Sequence, residues 1–186
     1  MQHRRNSSQI KKNLSKITTI FIVFCGLIYG AWLLYMEKQG NFHTITFKEA
    51  YRSGQLNRDN LEHYVRKFGL RSVINLRGAG KGEKWYEEEI RTCRELGVIH
   101  FDIELSAYVR PSQNKISSLL NIFAIAPKPV FIHCLGGADR SGLASALWKL
   151  KVDGASKQEA QKQSSILYGH LPFGRAQVMD DCIEKI

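Results

Sequence analysis

PVFIHCLGGADRSGLASALWKLK, Pro129 to Lys151, reads as a buried strand, a glycine-bearing loop and a helix in direct succession. PVFIH (Pro129 to His133) is a short apolar run, the composition of a strand covered on both faces. Gly136 and Gly137 break that run, and helical spacing takes over from Ser141 to Lys151. A strand that feeds a helix through a tight loop is half of a βαβ unit, so the segment argues for a parallel sheet with helices packed on it.

The flanking chain repeats the alternation. HTITF (His43 to Phe47) reads as a strand. Asn57 is placed to cap a helix through Leu61, Tyr64, Val65 and Phe68 that stops at Gly69. Arg71 to Leu76 is an apolar strand followed by the loop RGAGKGE, and Trp85 to Leu96 returns to helical spacing before Gly97. Val98 to Ile103 is a further strand, and Ser112 to Ala126 an amphipathic helix closed by Pro127. Two helices, near Ser156–Leu167 and Phe173–Lys185, complete the pattern. The expected fold class is α/β, with a mostly parallel central sheet and helices on both faces.

Ahead of this domain, expected over 43–186, lies ITTIFIVFCGLIYGAWLLYM, Ile17 to Met36, twenty residues without a charge. A helix of that length spans a hydrocarbon core of about 30 Å. Trp32 and Tyr35 near its outer end suit the interface. A cleaved signal peptide has a shorter apolar region, about 7–15 residues, ending at small residues; Leu34, Tyr35 and Met36 offer no such site. The expectation is an uncleaved single-pass anchor over 17–36. Arg4, Arg5, Lys11, Lys12 and Lys16 make residues 1–16 a basic tail, which the positive-inside rule keeps in the cytoplasm. The domain is then expected across a bacterial inner membrane, in the periplasm.

Composition limits the alternatives. At 44% hydrophobic and 24% charged residues, the 186-residue chain is neither wholly disordered nor a multi-pass membrane protein. The net charge of +10 does not argue for nucleic-acid binding, because the short tail supplies half of it. Cys25, Cys93, Cys134 and Cys182 form no CxxC pair, so neither a disulfide framework nor a zinc knuckle is indicated.

The chemistry concentrates in HCLGGADRSG, His133 to Gly142. A loop between a strand's end and a helix's start turns successive backbone N–H groups inward and adds the positive helix end. Leu135, Gly136, Gly137 and Ala138 thus form a cradle for a phosphate. The glycines permit conformations that a side chain obstructs, and Arg140 can grip two oxyanion oxygens at once. The same field favours the thiolate of Cys134, a nucleophile toward phosphorus. Ser141 is placed to donate a hydrogen bond to the departing sulfur. A nucleotide P-loop is excluded, since no G-x-x-x-x-G-K-[ST] occurs.

With these residues the sequence resembles the cysteine-dependent protein tyrosine and dual-specificity phosphatases, whose signature is H-C-x5-R-[ST], and within them the small bacterial branch. YRSGQL (Tyr51 to Leu56), VINLRG (Val73 to Gly78), the WYEEE helix, IELSA (Ile103 to Ala107) and HCLGGADRSG follow in that branch's order, covering roughly 45–186. The resemblance implies phosphate monoester hydrolysis through a phosphocysteine on Cys134, phosphate binding by Arg140 and the loop amides, and no metal or organic cofactor. The partner it implies is a phosphorylated substrate: a tyrosine- or dual-specificity-type phosphoprotein, a lipid or an inositol polyphosphate. A non-catalytic phosphate-binding module and a sulfur-transferring enzyme are the rivals from other classes.

One departure stands out. The family usually carries an acid on a mobile loop upstream of the cysteine, and SAYVRPS (Ser106 to Ser112) has none. Asp102, Glu104 and Asp139 are the candidates, with Asp139 preferred because it lies inside the phosphate loop. His133 reads as a buried residue steadying the loop, and His100 and His170 lack metal-ligand spacing. Arg77 or Lys81, in or beside the GAGKG loop, is a candidate for reaching substrate. Arg52 reads as a structural contact, and Glu87 to Glu89 as a solvated helix face.

Overall fold

The structure is a computed structural model; it describes residues 2–185, with side chains from Ser15 onward except at Leu33. The side chains of the basic tail, apart from Ser15 and Lys16, therefore lie outside the described residues. The chain divides into a first unit ending at Lys38 and a second beginning at Gln39. The first is one helix, α1 (Gln2–Lys38). Within it Ser15–Lys38 is long and apolar enough to cross a membrane, and Ile20, Phe21 and Leu27 are exposed.

The second unit is built on a five-stranded sheet in the order β1-β2-β5-β3-β4. Its strands are β1 (His43–Thr46), β2 (Ala50–Ser53), β3 (Ser72–Asn75), β4 (Ile99–Asp102) and β5 (Val130–His133). β2, β5, β3 and β4 run parallel, and β1 is the antiparallel edge. The α/β architecture and mostly parallel sheet are as the alternation predicts. β2 is an addition: Arg52 and Ser53 are polar, so AYRS carries no strand signal in its hydropathy, yet all four residues are buried.

Helices cover both faces. On one side α2 (Arg58–Phe68) and α3 (Lys84–Glu95) bury Leu61, Tyr64, Val65 and Cys93 against Tyr51, Val73 and Phe131. On the other, α4 (Gln113–Ile125), α5 (Asp139–Lys151), α6 (Lys157–Gln161) and α7 (Gln177–Glu184) enclose Ile74, Ile132, Leu119, Leu147 and Trp148. Alternate residues of β3 and β5 feed the two layers, as strand geometry requires. Asn57 caps α2 by accepting from the Asn60 amide at 2.9 Å, and Gly69 ends it in the left-handed conformation.

Two expected helices are shorter than their spacing suggests. Over 156–167 only Lys157–Gln161 is α-helical, opened by a capping box of Ser156 and Glu159. Gln163 and Ser164 then bond three residues back, to Ala160 and Gln161, which tightens the chain out of the α-helix. A 3-10 turn follows at Ile166–Tyr168. The last helix, expected from Phe173, begins at Gln177 after a second 3-10 turn.

The register places Ser53, His133, Asn75 and Asp102 side by side at the carboxyl ends of the four parallel strands. The loops that follow these strands meet there, where open α/β sheets bind ligands.

The core makes a quantitative test. Leu119 is fully buried between α4 and the sheet, so Leu119→Ala should lower the unfolding free energy by about 2–5 kcal/mol, read from urea denaturation.

Candidate active site

Cys134 follows β5 directly and is almost fully buried. α5 begins at Asp139, two residues before the expected start, so Arg140 lies in its first turn. The intervening loop is held from outside by its carbonyls. Leu135 O accepts from the Gln55 amide at 2.9 Å. Gly136 O accepts from Asn41 Nδ2 at 3.0 Å, and Gly137 O and Ala138 O each accept from Arg52 Nη2 at 2.9 Å. In a trans peptide the N–H points opposite the C=O. The amides of Gly136, Gly137, Ala138 and Asp139 are thereby turned inward, and that of Gly137 donates to Cys134 Sγ at 3.2 Å. The result is the expected cradle, with a nucleophile at its base.

Arg52 is the part that hydropathy could not reveal. Fully buried, it also donates to Gln163 O and lies 4.4 Å from the Tyr168 ring centre. Burial lowers its pKa to about 10, against the opposing pull of Tyr168, Cys134 and Asp139, so it stays charged at neutral pH. The close approach of β2 and the loop explains two glycines. A Cβ on Gly54 would sit 2.9 Å from Leu135 O, and one on Gly137, at φ +73°, 2.4 Å from Gly54 N.

Arg140 Nη1 lies 3.4 Å from Leu105 O, while its buried Nε has no hydrogen-bond partner. A buried guanidinium N–H left open beside a cradle of amides fits an oxyanion. Ser141 is buried, and its hydroxyl donates to Ser53 O at 3.2 Å. Its single proton is thus engaged by Ser53 O here, and donation to the departing sulfur requires the hydroxyl to rotate.

His133 sits behind the loop, with Nδ1 3.3 Å from Cys134 O and Nε2 3.1 Å from Glu89 Oε1. Glu89, read from sequence as part of a solvated face, is buried: it also accepts from His100 Nε2 at 2.9 Å and Gln55 Nε2 at 2.6 Å. Burial works against its charge, but the His133 and His100 imidazoles outweigh it and hold the carboxyl far below its ordinary range. Gln55 Oε1 in turn accepts from Arg77 Nη1 at 2.8 Å, and the Arg77 guanidinium stacks 3.4 Å from the Trp85 ring centre. The Arg77 pKa is lowered by burial and then by the charge of Arg140.

Glu89, His100 and His133 could together present three ligand atoms to a metal ion. Those atoms already pair as hydrogen-bond donors and acceptor, so the group reads as a brace. The candidate acids divide clearly. Asp102 accepts on both oxygens, from Asn75 Nδ2 at 2.8 Å and Tyr86 Oη at 2.6 Å. Glu104, exposed, packs its Cβ against Gly78. Asp139 uses Oδ1 for His170, at 2.7 Å, and its side chain is 28% exposed.

Comparison with known proteins agrees with this geometry. A family model described as "DSP-PTPase phosphatase fused to NAD+ Kinase" matches residues 35–177. A rice protein (Oryza sativa subsp. japonica) described as "Probable NAD kinase 2, chloroplastic" is 25% identical over 118 residues, which make up 61% of this chain and 12% of that protein. The chain thus spans about an eighth of that relative. The core catalytic domain of the PP-IP phosphatase SIW14 from S. cerevisiae superposes with a TM-score of 0.61 at 23% identity, covering 77% of this chain and 83% of that one. TpbA from P. aeruginosa gives 0.62 at 19%, covering 78% and 84%, and has also been solved in complex with pTyr. These structural likenesses are likenesses of fold.

Glu89 gives the brace a pH signature. A carboxyl whose folded pKa is depressed contributes stability that is present above its ordinary value of 4.5 and lost as pH falls through the folded value. At pH 7, Glu89→Gln should destabilise by about 3–5 kcal/mol, and denaturation at descending pH should show the gap to wild type closing below 4.5.

Proposed function

This chain belongs to the DSP-PTPase phosphatase family, and we propose that it is a phosphoric monoester hydrolase that works through a cysteinyl-phosphate on Cys134. The substrate's phosphate sits in the cradle of Leu135, Gly136, Gly137 and Ala138, with Arg140 gripping two of its oxygens. The Cys134 thiolate attacks phosphorus in line with the leaving oxygen, and the inward amides take up the charge that develops on the equatorial oxygens. Asp139 protonates the leaving oxygen. Water then displaces the sulfur, and Ser141, after rotating from Ser53 O, donates to the departing thiolate. No cofactor or metal enters this scheme. The observation that carries the reading is the Gly137 amide on Cys134 Sγ, beneath an Arg140 whose buried Nε is unpartnered.

A tyrosine- or dual-specificity-type phosphoprotein is the proposed substrate class. An inositol polyphosphate is the second reading, and Arg77 favours it: a second guanidinium, bonded to Gln55, whose own amide holds Leu135 O of the cradle, suits a substrate with more than one phosphate. SIW14 is described as a PP-IP phosphatase, and TpbA has been solved with pTyr, so the shared fold accommodates both. A lipid phosphate remains a third substrate class.

Purified full-length chain in detergent should hydrolyse p-nitrophenyl phosphate. Cys134→Ser should abolish turnover, and Arg140→Ala should reduce it by two orders of magnitude or more, roughly the worth of one removed transition-state donor. Wild-type turnover no faster than that of Cys134→Ser would sink the cysteinyl-phosphate reading.

We further propose that residues 17–36 of α1 anchor the chain in a bacterial inner membrane in one pass, with residues 1–16 cytoplasmic and the domain at 43–186 periplasmic. The support is the apolar length of Ser15–Lys38 behind a basic tail. Alkaline phosphatase, which folds to its active form only outside the cytoplasm, should be active when fused after residue 40; a fusion active only as a cytoplasmic reporter would reverse the orientation.

A further inference from the structure

Beside the phosphate loop lies a three-member chain of which the reaction scheme above uses only Asp139. His170 is fully buried. Its Nδ1 lies 2.7 Å from Asp139 Oδ1, and its Nε2 lies 2.9 and 3.1 Å from Asp180 Oδ2 and Oδ1. Both ring nitrogens therefore face carboxylate acceptors, an arrangement that the doubly protonated ring satisfies on both sides. The three residues come from separate places: Asp139 opens α5 beside Arg140, His170 follows the 3-10 turn at Ile166–Tyr168, and Asp180 belongs to α7. The charged groups around the ring are Asp139 from α5 and Asp180 from α7, with Arg52 of β2 acting on Asp139.

We infer that His170, held by Asp180, is the positioning residue that supplies Asp139 with the proton it delivers to the leaving oxygen. This rests on the cysteinyl-phosphate reading. An acid at neutral pH must find a proton, and an aspartate alone carries none there. The His170 Nδ1 proton passes to Asp139 Oδ1, leaving a neutral ring whose Nε2–H still donates to Asp180, and a carboxylic acid at Asp139. As the Cys134 sulfur–phosphorus bond forms and the phosphorus–oxygen bond breaks, the carboxyl turns its protonated oxygen away from His170 and gives that proton to the departing oxygen. In the second half, water attacks phosphorus, its proton goes to Asp139 and on to His170, and Cys134 leaves as thiolate. Protons balance over the cycle with no outside donor.

Exposure fits this division of labour. His170 is closed to solvent, whereas the Asp139 side chain is 28% exposed and, among the described residues, its Oδ2 has no protein partner. Asp102 is about as open, its side chain 26% exposed, but each of its oxygens already accepts a protein hydrogen bond. The hydrogen bond to Asp139 raises the pKa of His170, against burial and with added help from Asp180. The ring is accordingly protonated below its ordinary value and loses the proton as pH rises through the higher folded value.

The test compares kcat/KM for an alkyl phosphate and for p-nitrophenyl phosphate across pH, on the full chain in detergent. A nitrophenolate leaves without a proton, and an alkoxide does not. Wild type should show an alkaline limb that is steep for the alkyl ester and shallow for the aryl one. In His170→Gln, which keeps a hydrogen-bond donor but cannot titrate, the alkyl-to-aryl ratio should fall about tenfold or more, toward that of Asp139→Asn, and the limb should vanish; general acid catalysis is worth about 10²–10⁴-fold. Asp180→Asn should move the limb to lower pH, and it carries the test if His170→Gln does not fold. A wild-type ratio and limb in the folded variants overturns the inference, as does an unchanged ratio in Asp139→Asn. Failure of the underlying chemistry gives a different result: Cys134→Ser would then retain turnover on both esters.

Discussion

A planar peptide cannot present its C=O and its N–H to the same side, and the site depends on that constraint. Four consecutive carbonyls, from Leu135 to Ala138, are each taken by a donor outside the loop: the Gln55 amide, Asn41 and, twice, Arg52. The amides that follow them turn to the opposite side, where that of Gly137 donates to the Cys134 sulfur. A neutral hydrogen bond is worth about 0.5–1.5 kcal/mol net and one to a charged group about 1.5–3, so the two from Arg52 weigh most in fixing the loop. The cradle is therefore built from behind, by residues that need never touch substrate.

Much of the domain serves to make that arrangement possible. Arg52 can reach Gly137 and Ala138 only because β2 lies beside β5 in parallel register, pairing Ser53 with His133. The approach is close enough that Gly54 and Gly137 have no room for side chains. Burying a guanidinium is costly, and burial lowers the pKa of Arg52. Three carbonyls and the Tyr168 ring offset the cost in part, while the buried Nε has no hydrogen-bond partner. On the α2–α3 side, Glu89 ties Gln55, His100 and His133 together, so the residue whose amide holds Leu135 O is anchored to the residue that precedes Cys134.

The sequence was most readable where a local pattern decides the outcome. The strand–loop–helix at Pro129–Lys151, the cap at Asn57, the stop at Gly69 and the α/β alternation are all consequences of neighbours in the chain. It was least readable where a polar residue is buried by distant partners. AYRS carries no strand signal because Arg52 has the character of a surface residue until Gln163, Gly137 and Ala138 surround it. Glu89 looked solvated for the same reason, within a run of three glutamates of which it alone is buried. Of the loop's own residues, Asp139 could be singled out by position, but its link to His170 spans thirty-one residues and leaves no local trace.

The central claim, that Arg52 shapes the oxyanion cradle from behind, is tested most directly by the affinity of the full chain for orthovanadate, an oxyanion of phosphate's shape, in wild type and in Arg52→Lys. A lysine keeps the charge but lacks the planar fork that reaches Gly137, Ala138 and Gln163 together. With folding verified by circular dichroism, the account predicts binding weakened by about tenfold or more, the equivalent of losing one charged hydrogen bond. Wild-type affinity in a folded Arg52→Lys protein would contradict it.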